Sequence, residues 1–139
     1  MRISALSATV AVVAATIAGA AAPAAATTSA SKVNLEAGAG LHHSSATVTY
    51  ERVDGAVNSV EILSVEAHAG ERDCVWVEWN DPHDEVDGWA SLNSEPPCNG
   101  GDLLETPNVI IKAPKGYQLK VRLAVYHSSE LAHKDIAKL

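Results

Sequence analysis

Phenylalanine is absent, methionine occurs once, and the only two cysteines, Cys74 and Cys98, lie too far apart for a CxxC pair. An even count without that spacing reads as one disulfide, given an oxidising compartment. Basic residues are scarce, with ten Lys and Arg against seventeen Asp and Glu. That balance opposes nonspecific attraction to nucleic acid or anionic lipid, so neither is expected as a partner. No Asn-x-Ser/Thr sequon occurs, which excludes N-glycosylation. The one segment resembling a serine nucleophile turn, Gly88-Trp89-Ala90-Ser91-Leu92, lacks the second glycine of GxSxG. No catalytic residue, cofactor or metal is expected, and no internal repeat is visible. Beyond Ala22 no apolar run is long enough to span a bilayer.

What is present begins with a leader. Ile3 to Ala22 is uncharged, follows a single basic Arg2, and consists of Ala, Val, Ile, Leu, Ser, Thr and Gly. This is the h-region of a signal peptide, and Ala24-Ala25-Ala26 offers small residues for cleavage after Ala26. Cleavage after Ala30 is the alternative site. A retained anchor is disfavoured by the weak transfer energy of alanine and the single basic flank. The expectation is a secreted protein with no membrane insertion after processing, leaving Thr27 to Leu139 as one domain's worth of chain.

Thr27 to Ser45 is rich in Ala, Ser, Thr and Gly and has little to bury, so it reads as a flexible tether, with the β domain covering Ala46 to Leu139. From Ala46 a period of two sets in, and Asp54-Gly55 marks a hairpin corner. Val57 to Ala67 changes phase, with Val60 and Ile62 facing one way and Leu63, Val65 and Ala67 the other. A β-bulge near Ile62 and Leu63 reconciles them. Cys74 and Trp76 share one face of the next strand, and Val75, Val77 and Trp79 share the other, as in a central strand. The long stretch from Asn80 to Thr106 reads as a loop with one short strand at Trp89 to Leu92. Pro114-Lys115-Gly116 is a turn, and Tyr117 to Tyr126 carries the clearest alternation in the chain. Ser128 or Ser129 is placed as the cap of a short C-terminal helix bearing Leu131, Ala132, Ile136 and Leu139. The predicted fold class is all-β and mainly antiparallel: a small two-sheet sandwich or barrel of five or six strands with that terminal helix.

Function is less legible. Trp79, Asp81, Asp84, Glu85, Asp87 and Trp89 gather within one short segment, where indole faces and carboxylates suit recognition of an extracellular protein or a carbohydrate. Trp76 and Trp79 also suit the two sides of a buried strand, and Trp89, beside Gly88, is the one expected to be exposed. The same acids resemble a calcium loop in composition, but His83 and Val86 break the EF-hand order. Charge is segregated: Glu71 to Thr106 holds ten acids and one base, whereas Pro107 to Leu139 holds six bases and two acids. Lys120 and Arg122 are expected to meet Glu78 or Glu66 across strands. His127, Glu130 and His133 form an HxxExxH string, yet on a helix the two histidines would lie about 120° apart, awkward for one metal ion. The favoured reading is a secreted non-enzymatic binding protein that recognises a protein partner, as an inhibitor of an extracellular hydrolase or a host-directed effector, through the disulfide-braced acidic segment Asn80 to Asp102. Carbohydrate binding through tryptophan and a small hydrolase are its rivals.

Overall fold

The computed structural model describes residues 29–139, so the expected leader and the expected cleavage point after Ala26 lie outside the described residues. Nine strands fill this range: β1 Ser31–Ala37, β2 Ser44–Arg52, β3 Ser59–His68, β4 Asp73–Asn80, β5 Trp89–Ser91, β6 Asp102–Glu105, β7 Val109–Lys112, β8 Lys120–His127 and β9 Glu130–Lys138. They form two antiparallel sheets. One has the order β1-β2-β3-β6, with β7 pairing the remaining length of β3, and the other has the order β5-β4-β8-β9. The sheets stack face to face as an open sandwich, which bears out the all-β expectation in its sandwich form.

Alternation selects the inner faces. Val75 and Val77 of β4 and Val121, Leu123 and Val125 of β8 are fully buried against Leu35, Val48, Val60, Ile62 and Val65 of the other sheet. The phase change in β3 is a bulge, as expected. Thr49 pairs with Ser64 and Tyr50 with Ile62, which leaves Leu63 without a partner and lets Ile62 and Val65 both face the core. Asp54 and Gly55 both take positive φ in a turn that the Ala56 N–H closes by donating to the Val53 carbonyl, within the connection from β2 to β3. Gly116, at φ +86, closes the turn in which the Tyr117 N–H donates to the Pro114 carbonyl.

Two expectations are overturned. Much of the predicted tether is β1, antiparallel to β2 with Leu35 opposite Ala46 and Val33 opposite Val48. Val33, Leu35 and Ala37 alternate with polar residues, and Leu35 and Ala37 are buried. The C-terminal helix is instead β9. Ser128 and Ser129 both have positive φ, which closes a two-residue hairpin and precludes a helix cap at either serine. β9 then follows β8 from His127↔Glu130 to Lys120↔Lys138, with one irregularity beside Tyr126. The Ser128-Ser129 turn delivers the chain antiparallel to β8, where the ladder and the seating of Ala137 and Leu139 on the core prevail over the helical spacing of Leu131, Ile136 and Leu139. The strand count is nine and not five or six, because β1 and β9 add to it and β6 lies within the stretch read as loop.

Candidate functional site

The disulfide joins Cys74 of β4 to Cys98, as expected, and so ties the far end of the acidic segment to the central strand. Within that segment the aspartates serve the backbone. Asp81, Asp84 and Asp87 each accept the N–H two residues ahead, from His83 at 2.9 Å, Val86 at 2.7 Å and Trp89 at 3.1 Å. Three successive Asx-turns account for the spacing of these residues, since a short carboxylate can mimic the carbonyl of a turn. Val86 projects between them and is 94% exposed.

Trp79 and Trp89 do not share a surface. Trp89 is opposite Asn80 and Trp79 opposite Ala90, so alternation puts Trp89 on the outer face of the four-stranded sheet and Trp79 on the inner one. Trp79 packs against the core. Trp89 is half-buried, with the Arg122 guanidinium 4.4 Å above its ring centre. Arg122 is itself buried. Its Nε donates to Glu78 at 2.6 Å and its terminal nitrogen to Asp87 at 3.3 Å. This is the expected cross-strand pair, and it joins the acidic segment to the basic strand β8. Trp76, half-buried, lies on the outer face beside Tyr126 and Pro96. Burial, followed by the Glu78 carboxylate, raises the Tyr126 phenol above its ordinary value near 10.

A second constellation escaped sequence reading. Asp73, the first residue of β4, is 1% exposed, and each of its carboxylate oxygens accepts from one imidazole. His42 Nδ1 donates to Oδ2 at 3.0 Å and His127 Nδ1 to Oδ1 at 3.1 Å. The two rings meet edge to face, 5.8 Å apart. Asp73 and His127 are cross-strand partners and share a face by register. His42 arrives from the 3-10 turn between β1 and β2, which the Glu71 N–H anchors by donating to the Leu41 carbonyl at 2.6 Å. His133 and Ala132 line the same cavity, of roughly 230 Å³. Because His127 and His133 sit on a β-hairpin, the helical angle that separated them in the sequence reading does not apply. Glu130 faces His127 across the turn.

Fold and site together define a small antiparallel β-sandwich, crosslinked once, with an acidic segment on one sheet and a His-Asp-His cluster at one end. No protein-family model, curated protein or solved structure matches the chain.

Proposed function

We propose that the protein is a secreted, non-enzymatic binding module that recognises a basic protein partner through the segment between β4 and β6. The observation that carries this reading is the built shape of the segment. Three Asx-turns and the Cys74–Cys98 bridge hold it, while Val86 stands exposed among Asp84, Glu85 and Asp87. An ordered apolar tip ringed by carboxylates loses little entropy on docking and selects a positively charged surface. The segment carries much of the chain's negative charge, which would also speed encounter with such a surface.

The test is affinity capture from an extracellular protein mixture with the wild type and with the double variant Glu85→Lys and Val86→Ala. Both side chains are exposed, so the variant should melt like the wild type and lose the captured protein. Equal capture by both proteins would reject the segment as the recognition surface.

A second reading rests on the outer sheet face, where Trp76, Trp89 and Tyr126 lie together. Such an aromatic face suits carbohydrate. Retention on insoluble chitin, cellulose or glucan that Trp76→Ala abolishes would favour it over a protein partner.

A further inference from the structure

We propose that His42, Asp73 and His127 form a binding site for a divalent first-row transition ion of the zinc and copper kind. Its protein ligands are the two Nδ1 atoms and the Asp73 carboxylate. Among the described residues, these three bring their donor atoms within 4.8 Å of one another. Metal bonds of about 2.0 to 2.2 Å at angles between octahedral and tetrahedral imply ligand-to-ligand edges of ~2.8 to 3.6 Å. The contacts of 3.0 and 3.1 Å lie within that range and end on different oxygens of Asp73, so an ion between the imidazoles engages both carboxylate oxygens, with the two Nδ1 atoms, at most 4.8 Å apart, closing on it.

Two imidazoles and one carboxylate make a borderline donor set. It suits zinc, copper, nickel or ferrous ions and disfavours calcium and magnesium, which take oxygen ligands. The geometry is also held in advance by three separate segments. Asp73 is fixed through its backbone, its N–H donating to Gly70 and its carbonyl accepting from Asn99, and the neighbouring Cys74 is crosslinked. A methyl group at Gly70 would come within 2.8 Å of the His42 backbone, so only glycine lets the two turns approach this closely. The Gly70 N–H in turn donates to the buried Ser44 hydroxyl at 2.9 Å.

The balance of exposure is that of a site open on one side. Asp73 is sealed at 1%, whereas His42 and His127 are 48% and 46% exposed. Buried carboxylates are generally held by charge or by metal coordination, and among the described residues Asp73 has the two imidazoles and no Lys or Arg as side-chain partners. An ion bound here supplies the charge. The two imidazoles then carry their remaining proton on Nε2, and the cavity shared with His133 leaves room for water in the open coordination positions.

The experiment uses the protein without a polyhistidine tag, stripped with chelator and titrated with zinc, and with calcium and magnesium as controls. One equivalent of zinc should bind, raise the melting temperature, and move the imidazole NMR signals of His42 and His127 while leaving those of His68 and His83 in place. Calcium and magnesium should do none of these. His42→Ala and His127→Ala should each weaken zinc binding by ~100-fold or more, and His43→Ala should not. Far-UV circular dichroism checks that the variants remain folded, and the NMR shifts in the unmutated protein stand independently of them. Absence of saturable zinc binding, shifts centred on other histidines, or unchanged affinity in both folded alanine variants would each overturn the assignment.

Discussion

Arg122 gathers three kinds of interaction around one guanidinium: a charge-assisted bond to Glu78, a longer one to Asp87 and a stacked indole at Trp89. Both Arg122 and Glu78 are buried, so their mutual attraction offsets the cost of leaving water, and neither is well placed without the other. Arg122→Met should therefore destabilise the fold by about 3 to 5 kcal/mol, because the Glu78 carboxylate would be left without its partner. The double change Arg122→Met with Glu78→Leu should recover much of that loss, since an apolar pair needs no compensating charge. Urea unfolding of the wild type, both single variants and the double measures the coupling; destabilisations that simply add in the double would show that the pair is not coupled. Arg122 was legible as an outward basic residue on the most regular strand, and Glu78 as its neighbour. The stacking on Trp89 was not, because it depends on where a segment far along the chain returns to the sheet.

β1 and β9 are the elements where tertiary structure departs from local pattern. β1 has only seven residues, flanked by small and polar ones, and its three apolar positions gain meaning only when β2 lies alongside. Leu35, 1% exposed, is where this matters. Leu35→Ala should cost about 2 to 5 kcal/mol, as for a large core side chain, whereas truncation in a tether would stay within about 0.5 kcal/mol. Thermal and urea unfolding distinguish these outcomes directly. β9 makes the complementary case. Its sequence, ELAHKDIAK, suits a helix in isolation, but the hairpin at Ser128-Ser129 commits it to the edge of β8, and the Glu36 N–H donates across to Asp135 at 3.0 Å. β1 and β9 thus meet at one side of the sandwich.

At the scale of the molecule, the disulfide is the one covalent constraint, spanning a sequence separation of 24 residues. On the chain-entropy account, closing a loop of this size stabilises the folded state by about 3 kcal/mol. That is a large share of a typical ~5 to 15 kcal/mol for a single domain. The Cys74→Ala, Cys98→Ala double variant should lose about 3 kcal/mol of unfolding free energy and unfold at lower urea, with the acidic segment loosened before the core. Loss of amide protection at Leu92 to Gly101 ahead of β8 would mark that order. Charge segregation along the chain resolves at this scale too. The acidic and basic stretches meet at Glu78 and Arg122 within one sheet, so part of the separation seen in sequence is cancelled in space.

Period-two alternation, turn residues and cysteine count are local signals, and they sufficed to determine an all-β, mainly antiparallel fold, with sandwich and barrel left open, together with the Asp54-Gly55 and Pro114 to Gly116 turns, a bulge near Ile62 and Leu63 and the Cys74–Cys98 bridge. Each depends on residues close in sequence or, for the disulfide, on there being no other partner. The His-Asp-His cluster depends on neither. Asp73 is 31 residues from His42 and 54 from His127, and no spacing rule links three residues held together only by sheet register and a glycine-enabled close approach. The same holds for the opposed faces of Trp79 and Trp89 and for the fate of the two terminal segments. Which strand pairs with which is a property of the whole packed chain, because a strand's hydrogen bonds are made with a partner that its own residues do not specify.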